Sequence, residues 1–146
     1  MTSKNFVDST LFQQMKALFP IFCVDTMIYS GERGWLLGKR KNPPAKGEWF
    51  SIGGRLFKGE SLAACAIRKV WEEAGLRIRD LQFVGILEDR FESEDLHFIG
   101  ALYQAAAIGE PAALPLTSDF SELKWFPQPL PYFHAFLLKR FNMVKR

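Results

Sequence analysis

Cysteine is scarce in this chain. There are two, Cys23 and Cys65, with no C-x-x-C pair and no zinc spacing. That excludes a disulfide scaffold and a cysteine-based metal centre, and both residues read as buried free thiols of a cytosolic protein. Long apolar runs are missing too: none approaches the ~18 residues of a membrane span. The N-terminal MTSKNFVDST has no charged segment leading into an apolar one, so no signal peptide is expected and the expected location is cytoplasmic. Basic clusters are lacking as well. A net charge of +3 without a basic run argues against a nucleic-acid partner, yet suits a small anionic ligand. No repeat, low-complexity tract or linker breaks the chain.

What is present is ordinary for a globular chain, 48% hydrophobic and 24% charged, which rules out a disordered composition. Its 146 residues make one domain over 1–146, long enough for a core without staples. Fourteen phenylalanines point to an aromatic-rich core or cleft. Helical spacing at Phe6, Leu11, Phe12, Met15 and Leu18 predicts a helix over 6–18, capped at Ser9 or Thr10 and ended by Pro20, as an N-terminal helical extension over 1–20. Residues 21–40 predict a β-hairpin around SGERG. KNPPAKGE is a loop, and WFSIGGRL a short strand running into a double-glycine turn. A helix is expected over 61–74, with Ser61 as N-cap and Gly75 at its end. Two extended segments follow, joined by the polar turn FESEDLH. After an irregular 107–121 come the short strand ELKWF and a closing helix over 131–141 with Pro131 near its start. This order predicts an α/β fold with a mixed β-sheet between helices.

At 100° per residue, Ala63, Ala64, Ile67, Val70, Trp71 and Ala74 share an arc with Leu62 and are the expected core face of the 61–74 helix. Cys65, Arg68, Lys69, Glu72 and Glu73 share the opposite arc. Lys69 stands three residues before Glu72 and four before Glu73, so ordinary surface pairing is one explanation. Two features point beyond it. The carboxylates lie near the helix C-terminus, where the macrodipole disfavours negative charge, and the preceding glycines let backbone approach a ligand. A hard cation such as Mg²⁺ explains both.

The stretch GGRLFKGESLAACAIRKVWEEAGL resembles the Nudix box, G-x5-E-x7-R-E-U-x-E-E-x-G-U with U a bulky aliphatic residue. Gly54, Glu60, Arg68, Val70, Glu72, Glu73, Gly75 and Leu76 match in register. The resemblance implies the Nudix α/β/α sandwich and metal-dependent hydrolysis of a nucleoside diphosphate linked to another group. It implies Glu72, Glu73 and the Gly53 carbonyl as metal ligands, Mg²⁺ as cofactor with Mn²⁺ as the other suitable ion, and Arg68 and Glu60 as supports. Lys69 departs from the pattern, standing where the family has the first glutamate of its R-E-U-x-E-E element. A site with one ion is therefore expected, Lys69 replacing part of the lost positive charge; a site merely weakened by a Lys69 pair is the other reading.

A longer stretch, LLGKRKNPPAKGEWFSIGGRLFKGESL, is similar to the GDP-mannose mannosyl hydrolases within that family. By that resemblance Asp25, Arg40 and Arg55 bind the GDP-sugar, Arg68 acts near the diphosphate, and Trp125 continues the match. Arginine forks suit diphosphate oxygens. The subgroup's Gln-His pair falls on Asp119 and Phe120, and phenylalanine takes no proton, so attack at phosphorus stands beside attack at the sugar C1. Glu92, Glu94, Asp95, Asp119 and Glu122 are the candidates to activate water, Asp119 first among them. His97 and His134 read as structural. The implied substrate is a nucleotide sugar resembling GDP-mannose. The alternatives are pyrophosphatase action on ADP-ribose or a dNTP, a non-catalytic binding module, and, disfavoured by the charge, an mRNA-decapping type. A homodimer is the expected assembly, with Phe6, Phe12, Phe133 and Phe136 as candidate contacts.

Overall fold

A computed structural model describes residues 8–114 and 118–144. The elements in order are α1 (Ser9–Leu18), β1 (Ile21–Ser30), β2 (Gly34–Arg40), β3 (Trp49–Phe50), β4 (Ile52–Arg55), α2 (Leu62–Ala74), β5 (Arg77–Phe91), β6 (Leu96–Ile108), β7 (Phe120–Phe126) and α3 (Ala135–Met143). The fold is the expected mixed α/β architecture, a seven-stranded sheet with helices on its faces.

β1 organises the sheet. One edge runs parallel to β6 from Ile21 to Tyr29. The other edge is divided: Cys23–Thr26 pairs with β4 and Ile28–Ser30 with β2, both antiparallel. β2 carries β3 and β7 on its flanks. Because β2 and β4 share one edge of β1, and β4 pairs with no other strand, a gap opens beside β4. Successive side chains alternate faces. Met27, Leu37, Leu87 and Leu102 pack toward α3 with Phe126, Phe133, Leu137 and Phe141. Ile28, Leu36, Ile52 and Phe120 pack toward α2 with Val70 and Ala74.

α2 begins and ends where local chemistry dictates. Ser61 Oγ accepts from Ala64 N–H, and Gly75 takes the left-handed conformation at φ 57°. Its orientation differs from the expected one. Cys65, Ala66, Val70, Glu73 and Ala74 are buried, while Ile67 and Trp71 are 53% and 54% exposed. The helix turns its charged arc inward because the charges find partners there, and the apolar Ile67 and Trp71 face out.

Three other expectations change. The double glycine lies inside β4, not in a turn. The last helix starts at Ala135 rather than near Pro131, because His134 Nδ1 caps it by accepting from Leu137 N–H. The first helix is capped by Asp8 rather than Ser9 or Thr10; Phe6 lies outside the described residues. α1 has no buried residue, with Leu11, Leu18 and Phe19 47%, 73% and 66% exposed. Cys23 and Cys65 are free thiols, the second buried and the first partly so. Burial and the nearby Glu60 push the Cys65 thiol up to about 12.

Candidate active site

The gap beside β4 is the mouth of a cleft of about 1040 Å³. Gly53, Lys69, Arg68, Glu72 and Glu73 line it, with Asp119 beyond them. Asp25, Arg40 and Arg55 line the same cleft. The chain thus brings together residues from β1, β2, β4, α2 and the start of β7.

The two glycines have separate tasks, because neighbours on a strand face opposite ways. A Cβ on Gly53 would stand 2.0 Å from Asp25 Oδ1 and 2.4 Å from the Val24 carbonyl. A Cβ on Gly54 would stand 2.3 Å from Lys69 Cε. β4 is therefore held between a carboxylate on the α3 side and an ammonium on the α2 side; backbone contacts leave room only for glycine at 53, and a side chain at 54 would displace the end of Lys69.

On the α2 side the charges form three pairs, two of them joined through Arg68. Arg68 Nε donates to Glu60 Oε2 at 2.6 Å, Nη2 to Glu60 Oε1 at 3.0 Å and to the Arg55 carbonyl at 3.1 Å, and Nη1 to Glu72 Oε1 at 2.6 Å. Its guanidinium also lies 4.0 Å from the Phe57 ring centre. All three guanidinium nitrogens thus face protein acceptors, and Arg68 holds Glu60 and Glu72. The Arg68 fork keeps the Glu60 carboxyl below the usual range, against the opposing effect of burial.

Glu73 is 4% exposed. Its Oε1 accepts from Lys69 Nζ at 3.0 Å, and its Oε2 accepts from Ser118 Oγ at 2.7 Å and Asp119 N–H at 2.9 Å. Lys69 therefore pairs with Glu73, and Glu72 with Arg68. A carboxylate has about four lone-pair positions, and these contacts take three of Glu73's. Among the described residues no group of three or more His, Cys, Asp or Glu side chains forms a metal cluster. What remains is one position on Glu73, the partly exposed Glu72 and strand backbone. That donor set fits a single hydrated ion of the Mg²⁺ kind, which binds through one or two carboxylates and substrate phosphates.

Asp119 stands next to Glu73, its Oδ1 accepting from Asn42 Nδ2 at 3.3 Å. Phe120 is in the core, 3% exposed, its ring filling the space under Gly38. Glu92, Glu94 and Asp95 belong to the turn between β5 and β6, and neither they nor Glu122 line the cleft. His97 sits beside Glu88 on the surface. Trp125 lies outside the cleft, under the Arg33 guanidinium at 4.1 Å. Arg40 Nε donates to the Pro44 carbonyl at 2.6 Å, and the Arg55 guanidinium lies 5.5 Å from the Phe12 ring centre and 5.4 Å from that of Phe57.

Phe12, Lys16 and Arg140 are among the cleft residues that sequence reasoning missed. Phe12 and Lys16 come from α1, and Arg140 from α3. Phe12 and Lys16 had a signal, helical spacing four apart; Arg140 had none.

The family model for the NUDIX domain matches residues 21–137. The chain is 32% identical over 130 residues to the low-salt glycan biosynthesis protein Agl8 of Haloferax volcanii, covering 86% of this chain and 83% of that one. The fold resembles a MutT NUDIX hydrolase from Burkholderia pseudomallei at TM-score 0.75 and 23% identity, over 87% of this chain and 99% of that one. It also resembles the NUDIX domain of Shewanella oneidensis NrtR, solved with ADP ribose, at TM-score 0.66 and 20% identity over 97% of each chain.

Proposed function

The chain belongs to the NUDIX family, and on that premise we propose that it hydrolyses a nucleoside diphosphate sugar of the GDP-mannose kind with one Mg²⁺ ion. The observation that carries this reading is the cleft itself, which Arg40 of β2 and Arg55 of β4 line together with Glu72 and Glu73 of α2. Arginine forks and a cation-binding pair of carboxylates in one cleft suit a diphosphate. The resemblance to a glycan biosynthesis protein supports a glycosyl group beyond it. The likeness to a domain solved with ADP ribose supports the same chemical class, with ADP-ribose the alternative substrate.

In this reading Glu72, Glu73 and the Gly53 carbonyl hold the ion, Mg²⁺ first and Mn²⁺ second. When bound, it supplies charge neutralisation at the phosphoryl oxygens and a more acidic water. Arg68 is the positioning residue for Glu72. Lys69 adds a fixed positive charge beside Glu73. Arg40 and Arg55 bind the diphosphate, and Asp25 accepts from a donor group of the substrate. Asp119 takes the proton of the attacking water. With Phe120 in the core, the cleft has no base at the position of the mannosyl hydrolase histidine, and this favours attack at phosphorus. A homodimer is proposed on the outer face of α1, which buries no residue. The exposed Leu11 and Leu18 of α1, with Phe19 just after it, are the surface that a second copy would cover. Phe133 is core and Phe136 stacks on Phe91, so neither serves that contact.

Incubation with GDP-mannose and Mg²⁺, with products resolved by phosphorus NMR, tests this. GMP with mannose 1-phosphate is the expected result. GDP with free mannose would move the attack to C1 and remove Asp119 from its role. Binding without turnover would make the chain a nucleotide-sugar binding module.

A further inference from the structure

On the α3 side of β4 lies a second charged group. Arg140 is 2% exposed and fully occupied by neighbours. Its Nε and Nη2 donate to Asp25 Oδ2 at 3.0 and 2.6 Å. Nη2 also donates to Asp89 Oδ2 at 2.5 Å, and Nη1 to the Phe136 carbonyl at 2.8 Å. The guanidinium lies 4.6 Å from the Phe50 ring centre. Asp89 is also 2% exposed, with Lys139 Nζ 3.0 Å from its Oδ1. Arg140 has no free polar edge for a ligand, and Asp89 Oδ1 is a buried oxygen that accepts no hydrogen bond and has the Lys139 ammonium beside it.

Asp25 differs. Both Arg140 bonds end on Oδ2, and no described residue donates to Oδ1. That oxygen stands over Gly53, where only a missing Cβ makes room for it. Its side chain keeps 15% exposure and lines the cleft. Beyond it the floor is low, because Cys23 on β1 is paired with Gly100 on β6. An ionised acceptor in such a setting, fixed by a two-point clamp on its other oxygen, is suited to read donor groups.

We infer that Arg140, braced by Asp89, is a positioning residue that presents Asp25 Oδ1 to the part of the substrate beyond the diphosphate. This rests on the nucleotide-sugar reading. The group read by Asp25 carries hydrogen-bond donors, either sugar hydroxyls or the ring N–H and amino group of a guanine edge. Charge balance fits this role. Arg140 and Lys139 offset Asp25 and Asp89, so the acceptor does not add net negative charge facing a diphosphate.

The test compares Asp25→Asn, Arg140→Lys and the double variant, with KM and kcat measured on GDP-mannose, GDP binding measured by calorimetry, and melting temperature measured apart. A hydrogen bond to a charged group corresponds to about a 10- to 100-fold effect. Asp25→Asn is expected to raise KM by that factor with kcat within about threefold. Arg140→Lys keeps the charge but loses the fork, and is expected to raise KM similarly. The double variant should be no worse than Asp25→Asn alone, since both remove one interaction. A purely structural Arg140 would lower the melting temperature without this KM pattern. Loss of GDP affinity in Asp25→Asn would assign the donor to the base, and unchanged GDP affinity would assign it to the sugar; either supports the inference. An unchanged KM in Arg140→Lys, or effects that multiply in the double variant, would overturn it while leaving the proposed activity standing. Wild-type protein that neither binds nor cleaves a nucleoside diphosphate derivative would overturn both.

Discussion

Two charged groups flank the same short strand, and they are built on opposite plans. On the α2 side, Arg68, Lys69, Glu72 and Glu73 lie within one helix, and Glu60 only eight residues before Arg68. On the α3 side, Arg140 reaches Asp25 across 115 residues and Asp89 across 51. The first group is open at its Arg68–Glu72 pair, at 23% and 34% side-chain exposure, and closed at Glu73, at 5%. The second is closed, with Arg140 and Asp89 at 3% and 2%. Open pairs on a helix contribute little to stability and remain available to a ligand. A closed pair costs desolvation to form, and breaking it leaves a buried charge alone. The α2 group is thus suited to chemistry and the α3 group to fixing geometry.

The sharpest way to break this contrast is Arg140→Met. Two carboxylates would lose their main counter-charge in the interior, and the expected loss is about 3–5 kcal/mol of stability. Urea denaturation measures it. A loss below ~1 kcal/mol would place Arg140 among surface-type pairs and erase the distinction. The matching change on the α2 side is Glu73→Gln. It removes a charge held by Lys69 and Asp119 of the cleft and by the buried Ser118, so kcat should fall at least ~100-fold, the upper end of the loss when a group that orients a metal ligand is altered. Circular dichroism melting should change far less than for Arg140→Met. If the two variants lost the same stability, the α2 group would be structural as well.

Lys69→Glu sharpens the contrast within the α2 group. It restores the glutamate of the family pattern and frees the Glu73 Oε1 lone pair that now accepts from Lys69. Titration with Mn²⁺ followed by electron paramagnetic resonance should then show two bound ions per chain in place of one. Two ions in the wild-type protein would show that the Lys69 bond to Glu73 does not limit the site to one.

The same contrast decides what was legible in the sequence. The α2 helix, its Ser61 cap, its Gly75 end and the register of its charges are local, and spacing alone places them. The hairpin at 21–40 and the β5–β6 pair follow from alternation and turn residues. The direction the helix faces was not legible. An apolar arc containing Ile67 and Trp71 predicts burial, but the partners of Lys69 and Glu73 lie at Gly54 and Ser118, and no helical wheel contains them. Glycines at 53 and 54 signal close approach without saying to what. Arg140 was illegible for a stronger reason: on a helix ending LLKRFNM it resembles any surface arginine, and only the tertiary fold brings it to Asp25.

The smallest effects concern pH, and they separate the two regions by window. His134 caps α3: Leu137 N–H donates to Nδ1, so the ring proton is on Nε2, which donates to the Trp49 carbonyl at 3.0 Å. Charging the ring would put a proton on Nδ1 and end the cap. Burial holds its pKa below the ordinary 6.5, despite the opposing bond to Trp49. The unfolded chain therefore binds this proton first as pH falls. Stability is full above 6.5 and is lost below it, until the folded ring titrates as well. Glu60 on the α2 side has its pKa lowered from 4.5, chiefly by Arg68. Its contribution is present above 4.5 and is lost as pH falls through the lower folded value. Melting temperature against pH should show two separate declines. His134→Asn keeps a capping side chain without a titrating ring and should remove only the upper one. Glu60→Gln should remove only the lower. A single decline removed by either variant would mean that the two faces of β4 titrate as one unit, and that the open and closed groups are coupled through the strand between them.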